Sequence, residues 1–260
     1  MRIHVINLDR DPGRFAETLE QFDAAGLKDS VVRVPAIDAQ ATDFASPGYA
    51  PHRWLDRWEL KLSERAVFES HRSVWQRIAD GEDVFGIVCE DDILVSETFP
   101  EVLVELDFGA QGVVKLDGFS ADRRYGDAQS MGGRALWDIV EPVPSAACYA
   151  VSKGAAHILL RASEQYCATL DDFVFAPRAG LHPVQLVPAI AVQRMCCIVQ
   201  EGTADTMDST RESRDQSSRA RGPIAYRLRK EIRRGLQSLK NRSRPKLRPT
   251  LANDLPGYGR

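Results

Sequence analysis

Three carboxylates, Glu90, Asp91 and Asp92, stand side by side in GIVCEDDILVS (86–96), directly after the apolar run Ile87-Val88-Cys89. Two carboxylates about 4 Å apart repel by roughly 4 kcal/mol at an effective dielectric near 20. A cation, a proton or water must offset that cost. On a strand, residues i and i+2 share a face, so Glu90 and Asp92 are expected to point together and Asp91 away. Such a pair offers oxygen ligands to a hard divalent cation, Mg2+ or Mn2+, which in turn holds a diphosphate. Three solvated acids opening a loop are the plain alternative. Further along, Asp171-Asp172 opens the apolar, helix-like DDFVFA; an acid there serves either as a general base or as a helix cap. Lys115 in VVKLDG reads as a phosphate contact or as an edge-strand lysine.

These groups need strands and helices to hold them. RIHVINL (2–8) reads as a strand, and Asp11-Pro12 as the cap and first position of a helix with Phe15, Leu19 and Phe22 on one face. Arg14 falls in the first turn of that helix, where its guanidinium and the helix N-terminus both favour a phosphate. Gly26 offers a left-handed stop, and VVRVPAI (31–37) returns as the next strand, giving a βαβ start. Residues 39–60 read as a loop. Ser63 is read as the cap of a helix ending at Asp80-Gly81, and VFGIVCE (84–90) as the strand that delivers the triplet. Strands are expected at 112–118, 135–141 and 146–152, with Ser152 capping a helix through Leu160. Residues 181–192 form a proline-interrupted extended segment. The order is α/β, and ligands in open α/β sheets gather beyond the carboxyl ends of parallel strands, where the triplet sits.

At 260 residues, with 43% hydrophobic and 27% charged, the chain has material for one large domain with an appendage. Its five cysteines include no CxxC pair, which favours a reducing compartment and a cytoplasmic location. The opening apolar run stops at Asp9, too short for a secretory segment, and no stretch is apolar enough to span a membrane. The net charge of -3 hides an asymmetry: residues 201–260 hold 15 Lys and Arg against 7 Asp and Glu, leaving the first 200 residues at -11. We therefore divide the chain into a body (1–202), a polar linker (203–222) and a basic tail (223–260). In the tail, Ile224, Leu228, Ile232, Leu236 and Leu239 recur at helical spacing among Arg227, Arg229, Lys230, Arg233 and Arg234. That is a basic amphipathic helix, and residues 223–241 are expected at an anionic membrane surface, or docked on the acidic body. No nucleic-acid recognition module accompanies the charge, so nucleic acid is not the expected partner.

The ordered set VINLDRDPGRF (5–15), LSERAVFESHRSVW (62–75), GIVCEDDILVS (86–96), VVKLDGF (113–119), AACYAVSKGAAHILL (146–160) and TLDDFVF (169–175) resembles glycosyltransferase family 25. That family includes bacterial lipopolysaccharide galactosyltransferases and collagen galactosyltransferases. The chain departs from its pattern at Ala66-Val67, where a Gly-Cys pair is usual, and at Thr169-Leu170-Asp171, where Pro-Val-Asp is usual.

The resemblance implies a GT-A-like nucleotide-sugar fold with a central, mostly parallel sheet flanked by helices. It implies Mn2+ or Mg2+ held by Asp92 first, with Glu90 and His182 completing the shell. It also implies a UDP-sugar donor gripped by Asn7, Asp9, Arg10, Arg14, His71, Glu90, Asp91 and Lys115, and Asp171, then Asp172, as the base. The expected activity is inverting hexose transfer, galactose first, to a glycan or glycolipid. Two other classes stay open. One is a non-catalytic nucleotide-sugar or glycan-binding protein of the same fold. The other is a nucleotidyltransferase, although the Gly-rich basic loop of that class is absent and only Gly13 follows the first strand.

Overall fold

The computed structural model of the protein describes residues 1–40, 43–106, 112–197 and 222–258. The linker expected at 203–222 lies outside the described residues except for Gly222.

The chain begins with β1 (Arg2–Asn7), α1 (Pro12–Ala24), β2 (Val31–Pro35), α2 (Leu62–Asp80) and β3 (Phe85–Glu90). The short β4 (Ile93–Val95) and α3 (Phe99–Glu105) follow, then β5 (Val113–Lys115) and β6 (Asp117–Gly118). Next come β7 (Arg123–Met131), β8 (Arg134–Ile139), β9 (Cys148–Ser152), α4 (Lys153–Ala162) and α5 (Leu170–Val174). The body closes with β10 (Val184–Val187) and β11 (Ala191–Gln193), and the tail supplies α6 (Ile224–Lys240) and β12 (Lys246–Leu247).

Nine strands form one sheet in the order β12-β7-β8-β10-β5-β9-β3-β1-β2. The expected βαβ start is present: β1 lies between β2 and β3, parallel to both. Farther along, β9 runs antiparallel between β3 and β5, so the sheet is mixed. Ile3, Val5, Ile87, Val88 and Cys89 are wholly buried, as strands covered on both faces require. On one side Phe68, Val74 and Trp75 of α2 pack with Val88, Tyr149 and Val151; on the other, Phe22 and Phe99 close over Ile3, Ile87 and Cys89. A three-stranded sheet, β4-β11-β6, sits beside this layer.

Local signals act largely as read. Ser152 Oγ accepts from Ala155 N at 3.1 Å, capping α4, and Gly26 takes a φ of 71° just past α1. Two caps differ. Asp11 makes no side-chain cap bond, and α2 starts one residue before Ser63, where Glu64 reaches back to Lys61 N at 2.9 Å.

The polar strand β7 was not foreseen. Its partner β8 follows through Gly132 and Gly133, both at positive φ (50° and 79°), which is the tight hairpin turn such a glycine pair favours. All five cysteines are free thiols; Cys89 and Cys148 face each other across β3 and β9 with sulfurs 3.4 Å apart.

The basic tail is no detached appendage. Strand β12 pairs antiparallel with β7, Ala189 N donates to Thr250 O at 2.7 Å, and Ala252 N to Ala189 O at 2.9 Å. Asp254 accepts from Ser96 Oγ (2.8 Å) and Glu97 N (2.6 Å), and a Cβ on Gly118 would collide with Tyr258 Oη. Cutting the chain after residue 202 removes these bonds and bares both β7 and the second sheet. We expect that truncation to lower the unfolding temperature by several degrees or to abolish soluble expression, since about 1 kcal/mol attaches to each lost hydrogen bond. Thermal unfolding of the shortened chain checks it.

Candidate active site

The three acids stand where β3 ends, beside the end of β1 and the start of α1. Each is held differently. Asp91 turns inward: its Oδ2 accepts from Asn7 Nδ2 at 2.6 Å, its Oδ1 meets Arg14 at 2.6 Å, and its carbonyl accepts from the buried Thr18 hydroxyl at 2.9 Å. Burial raises its pKa while Arg14 and Asn7 pull it back.

Glu90 ends β3 and Asp92 lies in the turn after it, and the two carboxylates come together as expected. One amide, Gln193 Nε2, donates to Glu90 Oε2 at 2.9 Å and to Asp92 Oδ1 at 3.3 Å. Their side chains keep 26% and 20% exposure, so both reach solvent. Burial, and then the neighbouring Glu90 charge, push the Asp92 carboxyl up to about 6, against the pull of Arg14 3.5 Å away.

Arg14 is thus the one donor-site cation that the structure brings to the triplet. The other residues of the N-terminal block are spread out. Asn7 is buried (1% exposed) and braces Asp91, with Arg33 Nε donating to its Oδ1 at 2.8 Å. Its amide holds the Asp91 carboxylate in place. Asp9 pairs with Arg33 at 2.7 Å and Arg10 with Asp38, both near solvent at the end of β1.

His71 was expected against the donor, and the structure buries it (1% exposed) beneath the site. Trp75 Nε1 donates to Tyr149 Oη at 2.8 Å, and Tyr149 Oη lies 3.0 Å from His71 Nδ1. The indole nitrogen only donates, so the tyrosine proton goes to Nδ1 and the imidazole proton to Nε2. That Nε2 lies 3.7 Å from Glu90 Oε1. His71 therefore meets the triplet at Glu90. Tyr149→Phe leaves both buried nitrogens without their partner and is expected to cost about 1–3 kcal/mol, read from denaturant unfolding.

Lys115, expected as a phosphate contact, lies inside the fold. It is fully buried, with Nζ donating to Asp117 Oδ1 (2.6 Å) and Ser145 O (2.7 Å) and lying 5.4 and 5.0 Å from the Phe119 and Phe175 ring centroids. A buried ammonium is held by a carboxylate because separating the two would strand a charge. Asp117 also accepts from Ser145 Oγ at 2.5 Å, and Ser145 Oγ lies 3.4 Å from Gln193 Oε1. Lys115 and Asp117 together fix the Ser145 turn beside Gln193.

His182 does not join the acids either. It is exposed and stands two residues before β10, which runs parallel to β5 and in the same sense as β3. It therefore sits at the amino-terminal edge of the sheet, opposite the end where Glu90 lies. Among the described residues, no trio of His, Cys, Asp and Glu is arranged to hold a metal ion. Two carboxylates still fit a hard divalent cation that takes its remaining oxygens from phosphates and water.

Asp171 and Asp172 open α5, and they differ. Asp172 is ion-paired with Arg57 at 2.6 Å, while Asp171 Oδ1 accepts from Asp172 N at 3.0 Å. Asp171 keeps the freer carboxylate. Gln193, Thr18, Arg33 and Arg57 were missed in the sequence. Gln193 had a signal, as the polar end of the apolar run Ala189-Ile190-Ala191-Val192.

A large mixed sheet flanked by helices, with paired acids beyond the carboxyl end of one of its parallel strands, is a GT-A-like fold. Residues 1–174 match the family model Glycosyltransferase family 25 (LPS biosynthesis protein). The chain belongs to that family. No curated protein matches it.

Proposed function

We propose that the protein is a metal-dependent inverting hexosyltransferase that takes a sugar, galactose first, from a UDP-sugar to a glycan or glycolipid acceptor. The setting is lipopolysaccharide or other cell-surface polysaccharide synthesis in the cytoplasm, at the inner face of the plasma membrane. Galactose and uridine rest on the family resemblance alone. One observation supports the cation: Glu90 and Asp92, bridged by Gln193, bring two carboxylates together beyond the end of a parallel strand, where ligands of open α/β sheets gather.

Mn2+ or Mg2+ on that pair would neutralise charge on a departing diphosphate, as Lewis acids do. Arg14, already between Asp91 and Asp92, is placed to take a phosphate oxygen when the acids are occupied. Asn7 and Gln193 hold the acids in register, and His71 backs Glu90. Asp171 is assigned the proton of the acceptor hydroxyl, a base task suited to a carboxylate that has no ion-pair partner among the described residues.

The test is a panel of nucleotide sugars, read by hydrolysis and by thermal shift, with and without Mn2+. A UDP-hexose that shifts and turns over only with the cation is the expected result. Turnover indifferent to chelator would remove the cation from the reading, and nucleotide-sugar binding without hydrolysis or transfer would favour a binding protein.

A further inference from the structure

Helix α6 shows two opposite faces. Tyr226, Lys230, Arg233, Gln237 and the following Asn241 face the body. Tyr226 Oη and Lys230 Nζ donate to Asp56 O at 3.0 and 2.9 Å, Arg233 pairs with the Asp56 carboxylate, and Gln237 and Asn241 donate to Val140 O at 3.0 and 2.9 Å. The Tyr226 ring also meets Trp58 and Trp54, with centroids 5.3 and 6.1 Å away. The helix is thus docked by its polar face.

The apolar stripe faces out. Ile224, Leu228, Ile232, Leu236 and Leu239 are 55–75% exposed, five of the ten exposed large hydrophobic residues among those described. At roughly 100° per residue, Arg227 and Arg234 flank the stripe on one side and Arg229 and Lys240 on the other. A soluble helix that docks on its own protein normally turns this stripe inward. Here both docking on the body and an outward amphipathic face hold at once.

We propose that this outward face of α6 lies on an anionic lipid surface. Charge selects that occupant over a second copy of the chain. The helix carries Arg227, Arg229, Lys230, Arg233, Arg234 and Lys240 against Glu231 alone, so two such faces repel, whereas acidic headgroups attract them. Aliphatic side chains sunk below the headgroups with basic residues at their level is the arrangement of interfacial helices.

The docking also sets an orientation. Asp56, which anchors α6, precedes Arg57, and Arg57 holds Asp172 at 2.6 Å. The lipid-facing surface is therefore on the side of the α5 acids, from which a lipid-borne acceptor would arrive. That orientation rests on the transferase reading, while the binding itself does not.

The full-length protein is spun with vesicles of phosphatidylglycerol and phosphatidylethanolamine, and separately with phosphatidylcholine alone. Sedimentation with the anionic vesicles only, weakening as salt rises, is expected, because the Debye length falls from roughly 10 Å at 0.1 M to 3 Å at 1 M. The triple variant Leu228→Ser, Ile232→Ser, Leu236→Ser should bind at least about tenfold less while keeping its melting temperature, since these side chains touch solvent.

Equal binding by variant and wild type overturns the proposal, as does a dimer that the variant breaks with no vesicle binding in either form. Should the triple variant fail to fold, Ile232→Trp with bromine-labelled phosphatidylglycerol decides. No quenching beyond that of wild type overturns the proposal. Nucleotide-sugar turnover on the same samples separates the two ideas. Absent turnover with intact binding sinks the transferase reading alone, and absent binding with intact turnover sinks the lipid surface alone.

Discussion

Asp92→Asn is expected to abolish cation-dependent UDP-sugar binding and to cut transfer by at least about 100-fold, because on the proposed reading the pair at Gln193 would lose its first cation ligand. The same change should stabilise the ligand-free protein. Asp92 titrates near 6 in the fold, above its ordinary 3.8, so the folded state holds its proton more tightly than the unfolded chain. Its contribution is fully present below pH about 4 and is lost as pH rises through about 6. The variant lacks that loss. Its melting temperature should match wild type near pH 4 and exceed it at pH 8, with a gain of at most about 3 kcal/mol because the contact with Arg14 also weakens. Isothermal titration with Mn2+ and a UDP-sugar, with thermal unfolding at both pH values, checks the two halves. Unchanged sugar binding in the variant removes Asp92 from the cation site.

Asp171→Asn should leave donor affinity within about twofold of wild type and lower transfer by roughly 10²–10⁴-fold, the range for a lost general base. The amide still accepts from Asp172 N, so the first turn of α5 is preserved. Asp172→Asn makes the contrast. It loosens Arg57, and through the neighbouring Asp56 the seat of α6, so a loss of stability is expected there. Equal transfer by wild type and the Asp171 variant would release Asp171 from the base role, and a loss confined to Asp172→Asn would move that role to its neighbour.

Much of the fold was legible because its signals are local. The apolar run 84–90 can be satisfied only inside a sheet, and Asp11-Pro12, Gly26 and Ser152 punctuate helices by backbone geometry alone. The i, i+2 spacing paired Glu90 with Asp92 before any partner was known, and the structure puts one amide across them. Strand β7 escaped because its residues 127–130 lie exposed on a hairpin and so carry no apolar alternation; the Gly132-Gly133 turn was its trace.

By itself, the sequence determined the α/β order, the acidic triplet at a strand end, the resemblance to glycosyltransferase family 25 and the amphipathic pattern of α6. Each depends on neighbours a few residues apart or on motif order, so no long-range packing is needed to see it. The tertiary structure decided the partners. Lys115 had its partner in view, since Asp117 stands two residues on, and what the sequence did not show was the complete burial that closes the pair off. His71 had no visible partner along the chain, and packing supplied Tyr149, 78 residues away. His182 lost its place because strand direction put it at the far edge of the sheet. The α6 stripe faces outward because Asp56 and Val140 had already taken the polar face, and residues so distant in sequence meet only when the chain folds.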